Sequence, residues 1–271
     1  MLETGNNLKQ DNAGQYRVSI RFHSDGLSFS GHIPNVHHSF FYTEETFDSS
    51  NITYADSLRV CLSAYPFLTW EYLSINILFS SSKYVLVPDE LFSENSVNAL
   101  YSSSFGDEDD IVCFSPVSEL SAQVLFGINR EIFFLCEQTW EKAVYTSSIV
   151  PILGLTQRQS LLIDLPQMYV IQQENLVNIA CFSEGKLLYS KTFLLTETDN
   201  MLFYLLNIWQ TVDFSQLKDL LFFKGISKEL QERLALFIPH IRPIELPTDA
   251  FLLGTSFLKA PIDIIHLNLC E

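Results

Sequence analysis

LLFFKGISKEL, residues 220–230, decides how the chain is read. Four apolar side chains run into Lys224 and a lone glycine, Gly225, and Ser227 then opens the helical periodicity of SKELQERLALFI. A short apolar run closed by glycine reads as a strand, and serine ahead of a 3.6-residue period reads as a helix N-cap. Strand and helix are therefore joined through one glycine, a connection that serves either to seat a nucleotide or only to end a strand. The surrounding sequence has to choose.

Downstream, IRPIEL is a further strand. Upstream, DNMLFYLLNIWQT sets Leu202, Leu205, Leu206 and Trp209 on one helical face. Ahead of that helix, YVIQQ, LVNIACF and KLLYSKTF read as three strands, turning at Glu174-Asn175 and at Ser183-Glu184-Gly185. The same order appears earlier in the chain. YRVSIRFH, LSFSGHI and SFFYT form a meander over residues 16–43, turning at Ser24-Asp25-Gly26. Thr53 and Asp56 then mark the start of a helix carrying Leu58, Leu62 and Tyr65, and LSINILF follows as a strand. Strand, strand, strand, helix, strand thus occurs twice, from near Tyr16 and from near Tyr169, as a repeat of pattern rather than of residues. Between the copies, KYVLVP, IVCF, AQVLFG and KAVYT read as strands, and SENSVNALY, NREIFFLCEQTW and SSIVPILGLTQRQ as helices. The acidic run Asp107–Asp110 reads as a solvated loop.

A chain of 271 residues has room for one large domain or two ordinary ones. Hydrophobic residues at 47% and charged residues at 18% describe a folded protein. Sixteen basic against thirty-two acidic residues leave a formal charge of −16, the reverse of what a phosphate backbone attracts, so no nucleic-acid partner is expected. The opening MLETGNNLKQDNAGQ has neither the basic nor the apolar segment of a secretory signal, and no run approaches the ~18 apolar residues of a membrane span. A cytoplasmic location is the expectation. Cys61, Cys113, Cys136, Cys181 and Cys270 are odd in number and form no C-x-x-C, as ordinary thiols would be. The glycosylation sequon at Asn51 carries no weight without secretion.

The duplicated meander with alternating helices and strands resembles the actin-like ATPase fold of actin, sugar kinases, heat-shock chaperones and bacterial division and pilus-assembly proteins. More narrowly, NIACFSEGKLLYSKTFLLTETDNMLFYLLNIWQ and the ending LNLCE resemble an uncharacterised Bacteroidetes family of unknown function with that fold. The resemblance covers most of the chain and is most recognisable from about Met168 to Glu245. It implies an α/β protein of two ribonuclease-H-like halves, each a three-stranded meander with flanking helices. The expected boundaries are a flexible leader at 1–15, a first half at 16–166 that allows an inserted subdomain near 80–120, and a second half with the C-terminal segment at 167–271.

In the larger superfamily a nucleotide lies between the halves, held by two phosphate-binding hairpins and one adenosine-binding turn. The first hairpin usually reads Asp-x-Gly; here it reads Ser24-Asp25-Gly26, which keeps Gly26 and offers Asp25 one residue out of register, or is simply an Asp-Gly turn. The second should bring Asp and several glycines. Gln172-Gln173-Glu174-Asn175-Leu176 has no glycine, and Glu174 repels a phosphate unless a cation intervenes. The alternative register on Asp164 puts Pro166, which lacks an amide donor, at the glycine position. For the adenosine turn, Phe222-Phe223-Lys224-Gly225-Ile226-Ser227 fits the outline with one glycine instead of two.

Other chemistry has thinner support. Neither G-x-x-x-x-G-K-[ST] nor G-x-G-x-x-G is present, and Ser80 to Lys83 matches S-x-x-K only between two strands, where that motif needs a helix. His32, His37 and His38 fall around a loop; His23, His240 and His266 stand apart with no H-E-x-x-H or triad, so no catalytic and no metal residue is assigned. Asp25, Asp164 and Glu174 would have to converge for two-metal nuclease chemistry, which the acidity disfavours. A small-molecule or peptide scaffold could draw on the twenty-two Phe and eleven Tyr residues.

The leading expectation is a degenerate, non-catalytic actin-like protein acting through contacts with a protein partner, with no cofactor. The alternative is a divergent nucleotide-binding switch or weak ATPase. It would use the interdomain cleft, with ATP and magnesium held near Gly225, Ser227, Asp25, Gly26 and Asp164.

Overall fold

The computed structural model describes residues 2, 7–47, 52–106, 109–195, 198–246 and 255–270. The chain divides into two units. Unit 1 comprises Met1–Pro116, Gln123–Pro151 and Pro247–Glu271, and unit 2 comprises Val117–Ala122 and Ile152–Leu246. The C-terminal segment therefore groups with the first half rather than the second, and 152–166 with the second rather than the first. The expected leader carries a 3-10 turn at Gln10–Gln15 with Leu8 and Ala13 buried. Asn51, Asp107 and Glu271 lie outside the described residues.

Unit 1 is built on β1 (Arg17–His23), β2 (Gly26–His32), β3 (Phe41–Thr46), β4 (Ser74–Phe79) and β8 (Val144–Ser147) in the order β3-β2-β1-β4-β8. β1 is antiparallel to β2 and parallel to β4. Phe22 faces Tyr54 of α1 (Tyr54–Ala64) and Trp140, which closes α3 (Arg130–Thr139). Both helices begin where side chains can satisfy their first amides. The Thr53 hydroxyl accepts from Asp56 N–H at 3.1 Å, and the Asn129 side chain accepts from Glu131 N–H at 3.1 Å.

A second, three-stranded sheet in unit 1 has the order β5 (Tyr84–Pro88), β7 (Ala122–Asn129), β6 (Asp110–Val117). Helix α2 (Val97–Phe105) packs Val97 and Tyr101 onto Val87 and Leu125 of that sheet. The strands of this sheet fall between Tyr84 and Asn129, a span that overlaps residues 80–120.

Unit 2 repeats the main sheet with β9 (Gln167–Gln173), β10 (Leu176–Ser183), β11 (Lys186–Leu194), β12 (Leu220–Lys224) and β13 (Ile241–Pro243) in the order β11-β10-β9-β12-β13. Helix α4 (Ile149–Ser160) precedes it, with Pro151 in its first turn, where no intrahelical donor is lost. Helices α5 (Thr198–Thr211) and α6 (Lys228–Ala235) lay Leu205, Trp209, Leu230 and Leu234 on Met168, Val170, Ile179 and Leu221. The chain ends in α7 (Ile262–Cys270), a helix of unit 1 for which the sequence reading assigned no element.

Candidate functional site

The first hairpin closes one residue earlier than the sequence suggests. His23 pairs with Gly26, so the turn consists of Ser24 and Asp25 alone, and Gly26 is the first residue of β2. Gly26 is needed there because a Cβ would strike the Glu45 carbonyl of β3, a close-approach role rather than a turn role. Its carbonyl accepts from the Tyr54 hydroxyl at 2.6 Å, and the Asp25 carbonyl accepts from Phe47 N–H at 2.7 Å. The Asp25 carboxylate is exposed and meets His23 Nδ1 at 2.9 Å; that hydrogen bond holds its carboxyl below the usual range. His23, which stands alone in the sequence, is thus the partner of Asp25.

The second hairpin has the same length. Gln173 pairs with Leu176, leaving Glu174 and Asn175 as the turn, with Glu174 at φ +47°. The Asn175 carbonyl accepts from Leu195 N–H at 2.7 Å, the counterpart of the Asp25 bond. Asp164 lies elsewhere, exposed in the loop between α4 and β9. The buried Gln167 amide holds that loop by donating to the carbonyls of Ser160, Ile163 and Leu165 at 3.0, 2.8 and 3.1 Å.

Gly225 has φ +81°, a conformation that L side chains rarely adopt, and a Cβ there would also strike the Gln172 carbonyl of β9. Ser227 caps α6, its hydroxyl accepting from Leu230 N–H at 3.2 Å. Gly225 and Ser227 therefore stand together beside the far end of β9, next to the second hairpin. Asp164 stands at the opposite end of that seven-residue strand, about 20 Å away at ~3.3 Å per residue. Asp164 and Glu174 flank opposite ends of β9 for the same reason, so they do not form part of one carboxylate cluster. Among the described residues no group of three or more His, Cys, Asp and Glu is placed to hold a metal ion.

The histidines around the first loop are also apart in role: His32 is buried in β2, whereas His37 and His38 are exposed, His38 at φ +59°. Ser80, the first residue of the S-x-x-K match, accepts from Arg21 Nη2 at 3.2 Å. That arginine belongs to a feature invisible in the sequence. Arg21 Nε donates to Asp263 Oδ2 of α7 at 2.6 Å with both side chains buried, and Asp263 Oδ1 accepts from Ile264 N–H at 2.9 Å. A surface cavity of about 410 Å³ in unit 1, lined by Tyr101, Asp110 and Arg130, includes none of the five sequence-derived site residues. Among the described residues no helix is long and apolar enough to cross a membrane.

A family profile described as a protein of unknown function (DUF3822) matches residues 5–244. A crystal structure from Bacteroides thetaiotaomicron VPI-5482, a protein with actin-like ATPase fold and unknown function, is similar over 97% of this chain and 99% of that one. Its TM-score is 0.84 at 24% identity. The PilM-PilN type IV pilus biogenesis complex is similar over 94% of this chain and 98% of that one, with a TM-score of 0.56 at 9% identity. No curated sequence matches significantly. The architecture is the actin-like ATPase fold.

Proposed function

The chain belongs to the DUF3822 family of proteins of unknown function, and from that premise we propose that it is an actin-like protein without efficient ATP hydrolysis that acts through contacts with another protein. The observation that carries this reading is a paired substitution at the two hairpins. Each is a closed two-residue turn, Ser24-Asp25 or Glu174-Asn175, with no glycine to open backbone amides toward a phosphate. Glu174 adds a negative charge where a phosphate would sit. The residues that survive from a nucleotide site have structural work: Gly26 lets β3 pass, Gly225 turns the chain beside Gln172, and Ser227 caps α6. One similar structure is itself a complex of two proteins, PilM with PilN, which agrees with a role by contact.

The second reading is a nucleotide-binding switch, favoured by the persistence of the β12–Gly225–α6 connection and by the exposed Asp25 carboxylate. Thermal denaturation with adenine and guanine nucleotides, each with magnesium, separates the two. The proposed function predicts no magnesium-dependent shift in Tm beyond the one that pyrophosphate gives, and co-purification of a defined partner from a native lysate at fixed stoichiometry. A saturable, magnesium-dependent rise in Tm with one nucleotide would favour the switch and remove the proposal.

A further inference from the structure

Each main sheet carries one cation in the same row, and among the described residues only one of the two meets a carboxylate. In unit 1, Arg21 of β1 pairs with Leu78 of β4 two residues before the hairpin. In unit 2 the same row holds Ile171 of β9 beside Lys224 of β12, so the cation has moved one strand over. Arg21 is buried and meets the Asp263 carboxylate. Lys224 is half-buried, and among the described residues no carboxylate meets it.

The strand register gives Lys224 a companion. Leu221, Phe223 and Ile241 pack into the core beneath α5 and α6, so Phe222, Lys224 and Arg242 take the other face of the sheet. Arg242 is the register partner of Phe222. It therefore lies one step along the face from Lys224, about 7–8 Å between backbones, which two long side chains readily span. Arg242 is exposed and likewise meets no carboxylate among the described residues. Their register neighbours on this face are uncharged: Ile171 beside Lys224, and the Tyr169 and Phe222 rings stacked at 5.2 Å.

In a chain of net charge −16, Arg59, Arg130, Arg158 and Lys228 all stand against carboxylates. Exposed lysines such as Lys142, Lys186, Lys191 and Lys218 also meet no carboxylate among the described residues, but Lys224 is half-buried and has a second such cation, Arg242, beside it. We propose that Lys224 and Arg242 bind a small oxyanion ligand, a phosphoryl or carboxylate group, which supplies to unit 2 the counter-charge that Asp263 supplies to Arg21. Lysine and arginine suit that task as a point charge and a planar fork. Burial also lowers the pKa of Lys224 from its ordinary value, as expected of an ammonium that has lost water without gaining a partner. This inference is independent of whether the partner-contact reading holds.

The test is isothermal titration of the full chain at low ionic strength with inorganic pyrophosphate and, separately, with malonate. Saturable one-site binding of either supports the proposal, pyrophosphate alone assigning a phosphoryl ligand and malonate alone a carboxylate. Lys224→Met keeps the length of the side chain and removes a poorly solvated charge, so it should fold and should weaken binding by roughly ten- to a hundredfold. Arg242→Ala should weaken it similarly, and Lys224→Arg should retain it. Lys228→Ala, on the exposed face of α6, should leave it unchanged. Absence of saturable binding of both anions overturns the proposal. So does wild-type affinity in Lys224→Met, or an equal loss in Lys228→Ala.

Discussion

The two main sheets are copies in backbone and strangers in side-chain chemistry. Both have a two-residue hairpin between their first two strands, and in both the second turn residue accepts a 2.7 Å bond, from Phe47 N–H or from Leu195 N–H. Both run their first strand parallel to the strand that follows the helix. Yet Arg21 of the first corresponds to Ile171 of the second, Asp25 to Asn175, and Phe79, the last residue of β4, to Gly225. At that last position β4 stays in register with Phe22 and leads toward the inserted sheet, whereas β12 turns away through φ +81° into α6. What the duplication preserves is alternation, hairpin length and hydrogen bonding. Charge and turn chemistry are free to diverge, and those are what a nucleotide site would need.

The sharpest way to separate the two sheets is to remove the charge that only one of them buries. Asp263→Ala leaves Arg21 buried without its partner and should cost about 3–5 kcal/mol in urea unfolding, whereas Ile171→Val at the corresponding position should cost about 0.5–1.5. Equal effects would mean that Arg21 is solvated in solution. Next in size, Gly225→Ala combines a left-handed φ with a clash against backbone and should cost about 2–4 kcal/mol. Phe79→Leu at the matching position of unit 1 should cost less.

The caps test what the two units share. Thr53→Ala and Ser227→Ala each remove one acceptor from a helix start and should each cost about 1 kcal/mol. Smallest is a pH effect confined to unit 1. The folded pKa of Asp25 is depressed by His23, so its contribution is present above the unfolded pKa and is lost as pH falls through the folded value. Solvent exposure limits it to a few tenths of a kcal/mol. His23→Ala should flatten the acid limb of the stability curve by that amount, and Asn175→Ala in unit 2 should leave the limb unchanged.

The scaffold was legible because its signals are local. Alternation in YRVSIRFH and LVNIACF, the caps at Thr53 and Ser227, and the glycine of LLFFKGISKEL each act within a few residues. The recurrence of the whole order then pointed to two halves. What escaped depends on distance in the chain. Arg21 and Asp263 are 242 positions apart, and nothing in either neighbourhood announces the pair. Gly26 looked like a turn glycine, but its reason is a strand that returns nineteen residues later, at Glu45. The Lys224–Arg242 pair needs the parallel β12–β13 register, which no local pattern encodes. Of the five candidate residues, Gly225 and Ser227 are neighbours simply because they are two apart in sequence, whereas the distance of Asp164 from them follows only from the direction of β9.

The central proposal is that the actin-like fold is kept here without a working phosphate cradle. Calorimetric titration of the full chain with ATP and magnesium, set beside the same titration with pyrophosphate and followed by a phosphate-release assay, tests it directly. The account predicts that ATP binds no more tightly than pyrophosphate and that no phosphate is released. Magnesium-dependent binding of ATP orders of magnitude tighter than that of pyrophosphate, accompanied by turnover, would contradict it.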